Sequence, residues 1–395
     1  MAEVKTWDVI IIGGGIIGLS LSIALRKRGA TVLVVERGEP GREASHAAGG
    51  MLVESSAETP APLQPLASAS ARMYPEFAHE LNTESGMNVD LRDQGTILFW
   101  SKEQFERLQV RGAEFRSALL SVADLEEREP ALKYGRFDDP EELESLESFR
   151  QEFEGNPSVE DVRNFCKSVF RPAIYVSEHS VDPRALTAAA TKTAKARGVD
   201  FSSGDPVTAV NLSDGQATGV STTKTSFLSS KVVNCAGCWS GQIPPHQLPT
   251  RPVKGQMLCL VMQPRHLLKH VVRTPDVYLI PRSDGRLLVG ATVEEAGFDK
   301  RTDIATIQRL HRAALELVPG LKDAKILEDW AGLRPGTPDA LPILGTTRIP
   351  GYFVATGHFR DGILLAPITA QVMAQVISGE TPSDDLSAFS PQRFS

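Results

Sequence analysis

The sequence predicts an α/β protein built from a discontinuous Rossmann-like dinucleotide-binding domain and a second, antiparallel-sheet domain. Three observations carry this. A strand, glycine turn, helix and strand open the chain at 7–36, a buried strand and an apolar helix close it at 352–378, and hairpin-like strands fill 256–292. Strand–helix units at both ends imply that the ends fold together while the middle forms a sheet over the site. At 395 residues the chain exceeds what one hydrophobic core usually organises. The expected division is 1–85, 175–250 and 328–395 for the dinucleotide domain, with 86–174 and 251–327 for the other.

The elements follow from local chemistry. Residues 7–12 are short, β-branched and followed by glycines, the pattern of a buried parallel strand. Helix 16–28 closes at Gly29, and strand 31–35 ends at Glu36. The stretch 41–52, rich in Gly, Ala and Ser, is expected to be irregular. Helix 68–84 and strand 94–100 follow, then strand 173–176. Asp182-Pro183 reads as an N-cap with proline at the first helical position, opening an alanine-rich helix at 184–197. A strand at 231–235 precedes antiparallel strands at 256–262, 277–281 and 286–292, the last two joined by the turn Ser283-Asp284-Gly285. A helix at 302–318, a buried strand at 352–356 and a helix at 362–378 complete the chain.

A net charge of −7 gives no electrostatic reason to expect nucleic acid or an anionic membrane as partner. Hydrophobic content of 41% and charged content of 23% are those of an ordinary globular chain. Four cysteines make no disulfide framework, so a reducing, cytoplasmic compartment is expected. The uncharged run 9–25 imitates a signal or membrane segment, but its four glycines and the acidic residues ahead of it favour strand, turn and helix. Within 138–161, ten acidic residues face one basic residue, Arg150. That run reads as a solvated insertion, with an acidic docking face for a protein partner as the second reading.

Gly13-Gly14-Gly15-Ile16-Ile17-Gly18 fits G-x-G-x-x-G in the required setting, after a strand and at the start of a helix. Gly13 permits the tight turn, Gly15 the approach of a pyrophosphate, and Gly18 close helix–strand packing. Glu36 stands where it can accept hydrogen bonds from the adenosine ribose, which argues against a 2′-phosphate and so against NADP. NAD and FAD stay open at this point.

Further stretches narrow the choice. Ala44-Ser-His-Ala-Ala-Gly-Gly-Met-Leu52, Trp330-Ala-Gly-Leu-Arg-Pro-Gly-Thr337 with Pro342-Ile-Leu-Gly345, and Ala355-Thr-Gly-His-Phe-Arg-Asp-Gly-Ile-Leu-Leu-Ala-Pro367 resemble the D-amino acid oxidase superfamily of flavoenzymes, and within it the glycine oxidase group. Val233-Asn-Cys-Ala-Gly-Cys-Trp239 and Val253-Lys-Gly-Gln256 extend the likeness over nearly the whole chain. The resemblance implies a two-domain flavoprotein of the glutathione-reductase-like kind with FAD as cofactor. It implies cofactor contacts from Gly13, Gly15, Ile16, Ile17, Gly18, Glu36 and Arg37. To these it adds Ala44, Ser45, Gly49, Gly50 and Met51 of the flavin-covering segment, then Val207, Ala236 and Gly237. The last contacts are His358, Phe359, Arg360, Asp361, Gly362, Ile363 and Leu364, ahead of a helix whose dipole faces the flavin N1–C2=O edge.

By the same resemblance Arg334 pairs with a substrate carboxylate, Tyr278 adds a hydroxyl to it, and Arg360 lies beside flavin and substrate. Arginine's planar fork suits a carboxylate. The bland reading of Arg334 is a structural arginine in a turn between Gly332 and Pro335. Two departures stand out: the stretch 138–165 looks longer than the family's connection, and His46 replaces a familiar tryptophan. Some relatives attach FAD through a histidine in such a run, which the glycine oxidase pattern does not require. Cys235 and Cys238 lack the second Cys/His pair of a zinc site and read as buried small residues, so no metal is expected.

The implied activity is oxidation of glycine or another small amino acid or secondary amine by hydride transfer to flavin N5. O2 reoxidation then releases H2O2, and imine supply for thiazole synthesis in the thiamine pathway is the role that group implies. A dehydrogenase subunit passing electrons to a partner, and a non-catalytic FAD-binding module, are the alternatives. Self-association into a homo-oligomer stays open.

Overall fold

The computed structural model describes residues 5–54, 59–99, 120, 122–133, 173–245 and 247–394; the acidic stretch 138–165 lies outside them. Val9–Ile12 and Val32–Glu36 are buried at every position, as strands covered on both faces must be. They sit in a six-stranded sheet with spatial order Ile343–Thr346, Tyr352–Thr356, Val232–Asn234, Val9–Ile12, Val32–Glu36, Asp200–Ser203. All neighbours run parallel except the first pair. Strands from both ends of the chain therefore share one sheet, as expected.

The period of two along a strand separates the two layers that cover this sheet. Ile11, Val34 and Val233 pack into a core with the helices Ile16–Lys27, Gln64–Ser85, Pro183–Ala196 and Ala366–Ile377. Ile10, Leu33 and Val232 pack the other way, against Val210, Ala217 and Val220. Those three belong to a small antiparallel sheet of Val207–Ser213, Gln216–Thr222 and Ser226–Leu228, in a stretch where no element was expected. Asp182 caps its helix as expected, accepting the backbone N–H groups of Arg184 (2.9 Å) and Ala185 (3.3 Å).

The second sheet has seven strands in the order Lys325–Gly336, Arg251–Val261, Arg286–Gly290, Tyr278–Pro281, Val271–Arg273, Thr96–Phe99, Ala173–Val176. Here too alternation sorts the side chains. Leu258, Leu260, Leu279 and Val289 face the helix Ile304–Leu317, whereas Met257, Ile280 and Leu288 face inward with Tyr278 and Met51.

Three local expectations change. Arg334 is not in a turn: it lies on the twelve-residue strand Lys325–Gly336, paired along Arg251–Val261, so residues 328–336 sit in the seven-stranded sheet. The stretch 41–52 is not irregular throughout, for it contains the helix Ala44–Ala47 and the strand Met51–Leu52. The last helix starts at Ala366, not 362, and turns occupy 362–365 before it. In each case tertiary pairing or packing overrides what short, small-residue runs prefer alone.

Candidate active site

Where the carboxyl ends of Val9–Ile12, Val32–Glu36 and Val232–Asn234 approach the inner face of the large sheet, a single cavity of about 1810 Å³ opens. Ligands of open α/β sheets bind at this edge. At the nucleotide end Gly13 adopts φ +103°, and a Cβ there would stand 2.6 Å from the Cys235 carbonyl oxygen. A Cβ on Gly18 would run into the Gly13 carbonyl, so Gly18 serves packing and does not reach the cavity wall. Glu36 is buried, its two carboxylate oxygens accepting the N–H groups of Gly14 (2.7 Å) and Gly38 (2.8 Å). Each oxygen keeps a second lone pair for a ligand hydroxyl.

Gly13, Gly15, Ile16, Ile17, Glu36, Arg37, Ala44, Ser45, Gly49, Gly50, Met51, Val207, Ala236 and Gly237 all line this cavity. The Ser45 hydroxyl accepts the Ile16 N–H (2.9 Å), which ties the segment 44–51 to the start of the first long helix. Arg37 pairs with Glu43 (3.1 Å) and lies 3.8 Å from the Trp239 ring centroid. His46 is absent from the wall although Ala47 and Ala48 are in it.

From the last strand, His358, Phe359, Arg360, Asp361, Gly362 and Ile363 reach the wall. Leu364 does not. It is 1% exposed in the core under the helices, and its carbonyl accepts the Ser70 hydroxyl (2.6 Å). Burial holds the His358 imidazole down at about 3, hence neutral, and Nε2 lies 3.1 Å from the Thr369 hydroxyl. Burial also lifts Asp361 to about 6, against the pull of Arg360. The Phe359 N–H donates to the Pro335 carbonyl (3.0 Å), which joins this loop to the strand of Arg334.

Arg334 Nη1 donates to the carbonyls of Thr292 (3.1 Å) and Lys254 (3.3 Å). Its guanidinium lies over Gly255, where any Cβ would collide with it. That explains the glycine of Val253-Lys-Gly-Gln256. Burial pushes the Tyr278 phenol up, while the Arg334 and Arg273 guanidiniums act against the rise. A Cβ at Gly49 would stand 3.5 Å from the Tyr278 ring, so the 44–51 segment and the large sheet meet at this point.

Sequence reasoning missed several wall residues. Met257, Ala291 and Val293 supply an apolar surface beside Arg334 and Tyr278, and Arg273 adds a cation. Arg282, 1% exposed, holds the Gly49 carbonyl (2.5 Å) from behind the wall. None sits in a motif; only the pairing of distant strands brings them here.

A glycine turn joined by one cavity to an arginine–tyrosine pair on a second sheet is the arrangement of a dinucleotide-dependent oxidoreductase of mixed α/β fold. Residues 8–376 match the family described as DAO, FAD dependent oxidoreductase, and the chain belongs to that family. It is 33% identical over 396 residues to the bifunctional protein ThiO/ThiG of Trichormus variabilis, covering 98% of this chain and 55% of that one. The chain thus spans about half the length of the bifunctional relative. It is 29% identical to glycine oxidase of Pseudomonas putida, with 98% of each chain covered. The crystal structure of glycine oxidase from Geobacillus kaustophilus superposes with a TM-score of 0.84 at 29% identity, covering 98% of this chain and 99% of that one. FAD is the cofactor of this family, and the cavity suits it: near Gly15 only the Ser45 hydroxyl approaches a Cβ position (3.4 Å), leaving the backbone open to a pyrophosphate.

Proposed function

We propose that the chain oxidises a small carboxylate-bearing amine, glycine or another small amino acid or secondary amine, with FAD held in the cavity that runs between Glu36 and Tyr278. The carrying observation is Arg334, locked by two backbone carbonyls over Gly255 and set beside the Tyr278 hydroxyl. Such a pre-oriented fork and hydroxyl bind a carboxylate with little ordering cost. Met257, Ala291 and Val293 then leave an apolar wall that suits a small side chain.

Bound FAD supplies the two-electron acceptor that takes the substrate Cα hydrogen as hydride and passes the electrons to O2, giving H2O2. The chain's own task is placement. Gly13, Gly15 and the start of Ile16–Lys27 would cradle the pyrophosphate, and Glu36 would accept hydrogen bonds from the ribose hydroxyls. The 44–51 segment and the loop 357–363 would enclose the flavin, with the positive end of Ala366–Ile377 behind that loop. Arg360, in the same wall, would stand beside flavin and substrate, and the neutral His358 adds no charge there. The low cysteine content keeps the expectation of a cytoplasmic enzyme.

Anaerobic titration of the FAD-loaded protein with glycine, sarcosine, proline and D-alanine tests this. Glycine is expected to bleach the flavin, and air to restore it with one H2O2 per turnover. Bleaching without rapid reoxidation in air would point instead to a dehydrogenase that needs a partner. No bleaching by any amino acid would leave a non-catalytic FAD-binding module.

A further inference from the structure

Arg273 is a cavity-lining cation outside the Arg334–Tyr278 pair. It ends the strand Val271–Arg273 and is the direct antiparallel neighbour of Tyr278. Directly opposed residues share a face, with Cβ atoms roughly 5 Å apart. Arg273 therefore enters the cavity beside the tyrosine, close enough for its charge to act on the phenol. Its guanidinium makes no hydrogen bond among the described residues. Its ion pair there is a loose one, Nη1 to Glu178 Oε2 at 3.6 Å. The Arg273 side chain is 20% exposed and the Glu178 side chain 4%; both line the cavity, and the arginine is the more open of the two.

The contrast with Arg334 is chemical. Arg334 is anchored through Nη1 on two carbonyls and presents the rest of its fork; among the described residues Arg273 has only the loose pair with Glu178. A substrate with one carboxylate occupies one arginine. A buried or half-buried guanidinium with unmade hydrogen bonds is costly, and such groups are normally satisfied by protein, water or ligand. Burial pushes the Glu178 carboxyl up, while Arg273 and the Thr96 hydroxyl act against the rise and Glu54 adds to it.

We propose that Arg273 is a specificity-determining residue that binds a second carboxylate, making this enzyme favour amines that carry two carboxylates over glycine. The inference rests on the oxidase reading above and deepens it. The Arg334–Tyr278 pair holds one carboxylate, the tyrosine spans the gap, and Arg273 takes the other from the next strand. Glu54 lines the same end of the cavity and opposes an anion there.

The test compares kcat/KM for iminodiacetate and D-aspartate with that for glycine in the FAD-loaded enzyme. The dicarboxylates are expected to lead by on the order of tenfold or more, the size of one charge-assisted hydrogen bond. Arg273→Met should bring the ratio down toward one, Arg273→Lys should keep part of it, and Glu54→Gln should raise it. Flavin absorbance checks that each variant is loaded, and Arg273→Gln replaces the methionine variant if that one does not fold. A ratio at or below one in the wild type, or equal loss for both substrate types in Arg273→Met, overturns the proposal while leaving glycine oxidation in place. If neither glycine nor a dicarboxylate bleaches the flavin, the oxidase reading itself falls and this one with it.

Discussion

The two ends of the cavity are built on different plans. At the nucleotide end the centre of the site is one short stretch, a glycine turn, the helix it opens and the acid that ends the next strand, all within 13–36, with Arg37, Val207, Ala236 and Gly237 added around it. At the substrate end Gly255, Arg273, Tyr278 and Arg334 come from four strands of one sheet, brought together by antiparallel register. The first end binds mainly through backbone groups, whose geometry a local motif specifies. The second binds through side chains, whose convergence depends on pairing. A cofactor site of the first kind tolerates little change in backbone, and a site of the second kind can change specificity without disturbing the cofactor.

The largest effect expected from this contrast lies at Gly18. Gly18→Val forces a side chain into the Gly13 carbonyl and should cost several kcal/mol, about the range for core overpacking and strained backbone together, with loss of bound flavin. Thermal unfolding and flavin content of the purified protein measure it; a fully loaded, stable variant would break the comparison from the nucleotide side.

Next comes Arg334→Met, which removes a bidentate-capable cation and should lower kcat/KM by about 10²–10³-fold while the flavin spectrum stays that of the loaded enzyme. Gly255→Ala should act in the same direction by displacing the guanidinium, with a smaller loss of roughly tenfold. If Gly255→Ala emptied the enzyme of flavin, the two ends would not be separable. Tyr278→Phe deletes one hydroxyl and should cost about 3–10-fold, read mostly in KM.

The smallest expected effect is a pH dependence at the junction of the two ends. Asp361 is at about 6 in the folded chain against 3.8 in the unfolded one, so the folded form holds its proton more tightly. Its contribution to stability is complete below about pH 4 and declines as pH rises through about 6, the reverse of an ion-paired carboxylate. Asp361→Asn should flatten the melting temperature across that window.

Much of the nucleotide half is legible in the sequence. The glycine spacing, the apolar strands and Glu36 are local features, and each lies where expected, along with the Asp182 cap and the closing strand Tyr352–Thr356. Within that half the departures are small. Leu364 turns into the core because a turn, not a helix, occupies 362–365. The run 41–52 gains a helix from its packing against the strand of Trp330, whose indole donates to the Ala47 carbonyl (3.1 Å).

The substrate half is legible only through likeness to a family. Arg334 and Tyr278 stand out that way, yet nothing local places Arg334 on a long strand, and the sequence around it favours a turn. Arg273, Arg282 and Met257 carry no motif at all. The sequence by itself determined a dinucleotide fold, because backbone conformation near glycines and the period of buried strands are short-range properties. Tertiary structure alone decided which side chains surround the substrate, because strand register joins distant residues, as Arg251–Val261 joins Lys325–Gly336 and Val271 pairs with Thr96. It also decided that a second arginine stands beside Tyr278, because the pairing of Val271–Arg273 with Tyr278–Pro281 sets Arg273 directly opposite the tyrosine.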